Sequence, residues 1–373
     1  MNEVKPQNST PAEDTLVSVV GKYPRVWAMY RAHGNGTWSQ DEVRDLMRAM
    51  VASQNEEEMI LQDEVGRMTV LPIMFQDVWD MYKLHEAGIW HAHEVRLDKD
   101  MNDWNELDED AKFFLTMVLA FFASSDMIVS ENICVRFMKE IKMTEAQVYY
   151  GFQNMMENIH SEVYSNLIDA YIKDPAKKER LFNAVTTIPC IAKKAAWARK
   201  WIDGGQSLGE RMVAFALVEG VFFSGSFCAI YWMNEKGKLP GLAKANDFIA
   251  RDEAIHVKFA VLMYTKYIDH KMTQERFAEV MKAAVELEIE FITESLPCRL
   301  IGMNSKLMVK YIKYCANRLT HQLGHELVFE DVDQPFPFMD RICLREKSNF
   351  FEDDASAYKK TGVGNTVGAY DDL

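Results

Sequence analysis

Glu157-Asn-Ile-His160 and Glu253-Ala-Ile-His256 decide how this chain is read. In each, a carboxylate precedes an imidazole by three residues, a spacing that sets both on one face of an α-helix, where they can grip one metal ion. Each word also has an acid behind it at a similar distance: Asp126 lies 31 residues before Glu157, and Glu219 lies 34 before Glu253. A single Glu-x-x-His is a common accident. Two of them, each with a matched upstream acid, describe a dinuclear carboxylate centre inside a helical bundle.

The ligand set states its own chemistry. Four carboxylates and two imidazoles, with no thiolate, form a hard, oxygen-rich group that suits iron or manganese rather than structural zinc. Four carboxylate charges cancel those of two dications, which makes burial of the whole cluster tolerable. Redox-active iron with open positions binds and splits dioxygen; storage or a structural role is the plainer alternative. Tyr164 follows His160 by four residues and stands one turn further along the same helical face. A phenol there can give an electron and a proton to an oxidised metal centre, or it can simply pack. Phe223 and Phe227, four and eight residues after Glu219, either sheath that phenol from water and reductants or are ordinary core.

The rest of the chain supports a helical reading. Thr144-Glu-Ala-Gln147 and Ser207-Leu-Gly-Glu210 have the form of capping boxes, and Asp174-Pro175 places an N-cap before a proline at the first helical position. Pro189, Pro240 and Pro297 punctuate the long segments. These signals predict helices at about 105–139, 145–172, 176–187, 191–202, 209–235, 242–271, 274–294 and 305–323. The six ligand candidates then fall on four different long helices, and no sustained alternation argues for a sheet.

Composition narrows the function classes. The 373 residues are 48% hydrophobic and 12% aromatic, enough for a sizeable core in one large domain or two ordinary ones. A formal charge of -14 argues against nucleic-acid binding, which needs concentrated Lys and Arg. The six cysteines (134, 190, 228, 298, 315 and 343) show no metal-binding spacing and read as buried free thiols in a reducing compartment. The polar start lacks the apolar core of a secretory signal. The run from Phe113 to Val129 is interrupted by Thr116, Ser124, Ser125 and Asp126, so it reads as a core helix rather than a membrane span. A soluble, cytoplasmic protein is expected.

Two regions stand outside this frame. Val26-Trp-Ala-Met-Tyr-Arg-Ala-His-Gly-Asn-Gly-Thr-Trp38 recurs 52 residues later as Val78-Trp-Asp-Met-Tyr-Lys-Leu-His-Glu-Ala-Gly-Ile-Trp90, and both copies continue to Glu-Val-Arg. Ten of nineteen positions are identical without a gap, which marks a partial internal duplication. The upstream copy either packs on the outside or serves as an arm at a partner or dimer surface. From about Ser348 the chain becomes rich in small and acidic residues, the composition of a flexible tail. The expected organisation is an extension at 1–60, a helical dimetal domain at 61–347 and a tail at 348–373.

Several strings are specific enough to resemble a known family. Gly151-Phe-Gln-Asn-Met-Met-Glu-Asn-Ile-His-Ser-Glu-Val-Tyr164, Val218-Glu-Gly-Val-Phe-Phe-Ser-Gly-Ser-Phe227, Arg251-Asp-Glu-Ala-Ile-His256 and Leu300-Ile-Gly-Met-Asn304 closely resemble the small, radical-generating subunit of class I ribonucleotide reductase, eukaryotic or viral type. The resemblance runs from about Leu71 to Tyr358; the copy at 26–44 has no counterpart in it, and the tail is short beside many members.

The resemblance implies an all-α, ferritin-like bundle. It implies that Asp126, Glu157 and His160 hold one metal and Glu219, Glu253 and His256 the other, with some carboxylates bridging. Two iron ions, or manganese, would then use dioxygen and external electrons to leave a tyrosyl radical on Tyr164. Trp90, Asp252 and His160 match the family's hydrogen-bonded relay, and Tyr358 matches the tail tyrosine that passes the radical to a large catalytic subunit. The resemblance also implies a homodimer that docks the large subunit through its C-terminal tail. Taken alone, Trp90 is an ordinary core tryptophan and Asp252 a helix-surface acid. Two rivals share the ligand pattern: a ferritin-like iron oxidase or storage protein, and a di-iron hydroxylase or desaturase. Neither needs Tyr164, Trp90 or Tyr358.

Overall fold

A computed structural model describes residues 58–61, 67, 69–295, 304–330 and 333–339. The upstream copy at 26–44, most of the 1–60 extension, Cys298, Cys343, Tyr358 and the tail lie outside the described residues. Among those described there are helices and connecting turns and no strand.

Twelve α-helices of four or more residues carry the fold among the described residues, numbered in chain order. They are α1 Gln76–Ala87, α2 Asp100–Glu106, α3 Glu109–Asn132, α4 Thr144–Tyr171, α5 Pro175–Phe182, α6 Ala184–Thr187, α7 Pro189–Asp203, α8 Leu208–Leu217, α9 Ser224–Glu235, α10 Pro240–Leu262, α11 Gln274–Ser295 and α12 Ser305–Gln322. The bundle at the centre is made by α3, α4, the α8–α9 unit and α10. Helix α3 packs along α4, α8 and α9 pack against α10, and α1 crosses over α4 and α10. Helices α7, α11 and α12 close the far side.

Local chemistry sets many of the boundaries. Asp108 caps α3 by accepting from Ala111 N at 2.7 Å, and Asn304 caps α12 by accepting from Leu307 N at 3.0 Å. Ser207 and Glu210 form the expected reciprocal box at α8, and Asp174 accepts from Ala176 N ahead of Pro175. The box expected at Thr144 does not form: Met143 occupies the cap position, and Gln147 turns back to donate to Ile141 O at 2.9 Å.

Several expected helices differ in detail. The segment expected at 105–139 is divided, because α2 ends at Glu106 and Asp108 starts a new helix. Asn183 separates α5 from α6. The segments expected at 209–235 and 242–271 contain π-helical turns at Val218–Phe222 and Met263–Tyr267, and a third follows α3 at Ile133–Phe137. A π turn inserts one residue into the helical register and occurs often at functional sites.

Buried carboxylates lock the frame. Asp100 accepts from Gly241 N, Leu242 N and Tyr171 Oη at 2.7–2.8 Å, so it holds the start of α10 against the end of α4. Glu145, at the start of α4, is paired with Arg67 at 2.6 Å and accepts from Met74 N, tying the entry to α1 onto α4. Glu58 accepts from the backbone of Asp269 and His270, so the docked chain reaches into the segment assigned to the extension. Two apolar stretches, 109–140 and 208–235, are long enough to cross a membrane, but 67% and 94% of their most apolar windows are buried inside the protein. They are core helices. Of the described cysteines Cys190 and Cys228 are buried as expected, whereas Cys134 is exposed.

Candidate metal centre

The six ligand candidates converge in the middle of the bundle. Asp126 comes from α3, Glu157 and His160 from α4, Glu219 from the π turn between α8 and α9, and Glu253 and His256 from α10. All six are at most 3% exposed. Their donor atoms form two overlapping groups, Asp126–Glu157–His160 and Glu157–Glu219–Glu253–His256, and within each group the atoms lie within 4.8 Å of one another. Glu157 belongs to both. Glu253 also approaches both imidazoles, at 3.2 Å from His160 Nδ1 and 3.0 Å from His256 Nδ1. Glu157 likewise approaches both, at 3.5 Å from His160 Nδ1 and 3.2 Å from His256 Nδ1.

The cluster is unsatisfied in a way that fits a pair of cations. Asp126 Oδ2, Glu157 Oε2, Glu219 Oε2 and His160 Nδ1 are buried without a hydrogen-bond partner. Such groups cost free energy unless a ligand answers them. The Gln153 amide turns towards these carboxylates, but its Nε2 makes only long contacts, 3.5 Å to Glu157 and 3.3 Å to Glu219. Burial, then the charges of Glu157 and Glu253 respectively, raises Asp126 and Glu219 well above the usual carboxylate range. Burial alone would lower His160 and His256, but the surrounding carboxylates win and raise both well above the ordinary histidine value. Glu253 is held below its ordinary value: burial opposes this, and His256 with the neighbouring hydrogen bonds outweighs it. These shifts, that of Glu253 excepted, favour the protonated forms.

Trp90, Asp252 and His160 are connected. Asp252 Oδ2 accepts from Trp90 Nε1 at 2.7 Å and meets His160 Nε2 at 3.1 Å, while the Trp90 and His160 rings stack at 5.9 Å. Asp252 is fully buried rather than on a helix surface. Burial pushes its carboxyl up, but the His160 hydrogen bond and charge, with Arg251, hold it below the usual range.

Tyr164 is 1% exposed, and its Oη has no hydrogen-bond partner. Its ring lies flat on Phe122, 4.6 Å between centroids at 4°, and Phe122 in turn contacts Phe227 at 5.0 Å and Phe223 at 5.6 Å. Sequence reasoning named Phe223 and Phe227 and missed Phe122, which sits four residues before Asp126 and so shares its helical face. It also missed His85, whose ring lies 4.9 Å from that of His256. The signal was present: both copies of the duplicated segment carry this histidine as well as the tryptophan.

Comparison with known proteins agrees with this geometry. The family described as "Ribonucleotide reductase, small chain" matches residues 67–335. The human ribonucleoside-diphosphate reductase subunit M2 is 50% identical over 309 residues, covering 83% of this chain and 79% of its own. The small chain from vaccinia virus is 49% identical over 306 residues, covering 82% of this chain and 95% of its own. Among solved structures, the ribonucleotide reductase Rnr4 homodimer from Saccharomyces cerevisiae superposes with a TM-score of 0.70 at 33% identity, covering 86% of this chain and 100% of that one. The dimanganese(II)-NrdF of Streptococcus sanguinis, at 17% identity and a TM-score of 0.64 over 74% of this chain and 98% of its own, shares the fold. With a buried dimetal ligand set in an all-helical bundle and half its residues shared with such relatives over the matched length, the chain belongs to the ribonucleotide reductase small-chain family.

Proposed function

We propose that this chain stores a tyrosyl radical on Tyr164, beside two iron ions held by Asp126, Glu157, His160, Glu219, Glu253 and His256, for a class I ribonucleoside-diphosphate reductase. One observation carries the reading: a phenol with no hydrogen-bond partner is sealed by Phe122 within electrostatic reach of Asp126, Glu253 and Glu157. When bound, the metal pair supplies, with dioxygen and an external reductant, the oxidising equivalent that the phenol needs. Burial first, then Asp126, raises the Tyr164 phenol well above its ordinary value. Tyr164 therefore does not ionise beforehand, and its electron and Oη proton leave together. Phe122, Phe223 and Phe227 keep water and reductants away.

Trp90, Asp252 and His160 form the inner part of the relay. Because Asp252 Oδ2 is bonded to both rings, an electron step at Trp90 is matched by a proton shift along the Nε1–H···Oδ2 bond, and no buried charge is left unpaired. Tyr358 is the outer relay residue in this reading. It lies in the tail that docks on the large subunit, where a thiyl radical would initiate, by hydrogen abstraction, the reduction of ribonucleotides to deoxyribonucleotides by a thiol reductant. The chain supplies the oxidant and acts in the cytoplasm as a homodimer. Exposed Phe113 and Met127 on α3 and Met155 on α4 support a face for the second copy.

Electron paramagnetic resonance after adding ferrous iron and oxygen to the full chain tests the assignment. A tyrosyl signal that disappears in Tyr164→Phe supports it. Two bound irons with no tyrosyl signal in the unchanged protein overturn it in favour of an iron oxidase or hydroxylase. Metal analysis of the same sample separates iron from manganese. Deleting residues 349–373 abolishes activity with the large subunit and spares the signal; loss of the signal sinks the tail assignment.

A further inference from the structure

The two metal-facing histidines are not supported alike. His160 has Asp252 against its outer nitrogen, Nε2, at 3.1 Å. The outer nitrogen of His256, also Nε2, is buried and has no hydrogen-bond partner. A metal-bound histidine nearly always gives its second N–H to a neighbour, which fixes both the tautomer and the ring orientation. Something should stand where Asp252 stands for His160.

His85 stands there. Its imidazole comes from α1, is 1% exposed, and packs edge-on against His256 with centroids 4.9 Å apart at 69°. Phe152 at 4.8 Å and Tyr149 at 5.7 Å wall the ring in. Neither nitrogen of His85 has a hydrogen-bond partner. A neutral imidazole carries one N–H donor and one free acceptor, so it can accept as well as donate. A buried imidazole with both nitrogens unanswered is costly to keep, whereas Leu at the same place would pack without that cost. Three unanswered nitrogens thus lie on two buried rings in edge contact.

We propose that His85 is the positioning residue for His256: its imidazole accepts the Nε2–H of His256, directly or across one water, and thereby turns Nδ1 towards the carboxylates. The centre then has a carboxylate, Asp252, behind one histidine and an imidazole, His85, behind the other. His85 touches neither substrate nor metal and acts through His256. The inference rests on the dimetal reading above.

Manganese(II) titration of the full-length protein, with free ion counted by its electron paramagnetic resonance signal, tests this without any turnover. The unchanged protein binds two ions per chain. His85→Leu weakens one of the two by about 10–100-fold and leaves the other in place, while His85→Gln, which keeps an acceptor, restores most of the loss. The metal-free His85→Leu protein melts no lower than the parent, because an unsatisfied imidazole has been removed, and this separates site loss from misfolding. Two ions bound by His85→Leu with parental affinity, or equal losses in the Leu and Gln variants, overturn the proposal and leave the dimetal reading standing. Failure of the unchanged protein to bind two ions overturns both.

Discussion

Two clusters of buried charge share the core, and they are built on opposite plans. Lys194 on α7 and Glu288 on α11 form a closed pair: Nζ donates to Glu288 Oε2 at 2.5 Å and to Phe222 O at 2.9 Å, and it sits 3.3 Å from the centre of the Phe121 ring. Burial raises Glu288 to about 7 and lowers Lys194 to about 8, yet each charge has its counterion inside the protein. The candidate metal centre gathers four carboxylates and two imidazoles. A cluster that balances its own charge is structural. One that leaves a deficit of positive charge is a binding site, because the missing charge must come from outside.

The clusters also meet mechanically. The carbonyl that accepts from Lys194 ends the π turn Val218–Phe222, which carries Glu219. The next helix passes so close to the pair that a Cβ on Gly225 would lie 2.6 Å from Glu288 Oε1. The closed pair thus holds the helical segment from which one ligand of the open cluster projects.

The sharpest way to break the comparison is to alter each cluster by one charge. Glu157→Gln removes the carboxylate common to both ligand groups, and reductase activity with the large subunit should fall to background along with two-metal binding. The metal-free variant should be as stable as the parent or more so, because one buried repulsion is gone; a marked drop in its melting temperature would contradict the charge-deficit reading. In the closed pair the same kind of change does the reverse. Lys194→Met leaves Glu288 uncompensated and should cost about 3–5 kcal/mol in denaturant unfolding, whereas Lys194→Met with Glu288→Met should be neutral or stabilising by about 1–4 kcal/mol. Equal losses in the single and double variants would mean that the pair matters by shape alone.

Metal loading gives the next largest effect. Binding only the folded state, metal at about a thousandfold excess over Kd stabilises by about 4 kcal/mol per site, which chelation should remove. The Lys194→Met variant should keep most of this increment, since the open cluster retains all its ligands.

The smallest effect is a pH slope with a definite sign. Asp126, Glu219, His160 and His256 all have folded values above their ordinary ones. Their contribution is complete below the unfolded values and is lost as pH rises through the folded ones, so the metal-free protein gains stability as pH falls from about 8 to about 6.5. Glu253, shifted down, titrates below that window and does not oppose it. Glu288, raised to about 7, tilts the same way at the lower end of the window, and Lys194, lowered to about 8, tilts the opposite way at its upper end. The double methionine variant removes both of these, while His85 and His325, lowered by burial, still tilt the opposite way at the lower end of the window. Metal affinity runs the other way and rises with pH, because binding displaces protons. Denaturant midpoints at several pH values, with and without chelator, measure both; a flat metal-free profile would contradict these shifts.

Much of this architecture is legible in the residues alone. Helix type and most boundaries follow from caps and prolines, because those signals act within one turn of the chain. The ligand six are legible because Glu-x-x-His is a statement about one helical face and the matched acids repeat it. Helices α1 and α2 are not: they are short, and their hold comes from Asp100 and Glu145 reaching across to other elements. Lys194 and Glu288, 94 residues apart, carry no local mark of their pairing. His85 is one shared letter of a duplicated segment, and only the crossing of α1 over α10 gives it a partner.

By itself, the sequence determined the helical class, the chemistry of the ligand set and the residues that offer it, since backbone periodicity and donor type are local properties. The tertiary structure alone decided which carboxylate is shared, where the helical register slips by a π turn to aim Glu219, which ring seals Tyr164, and which imidazole stands behind His256. Those outcomes depend on distances between segments far apart in the chain, and they are set by how the bundle packs around groups that must be satisfied.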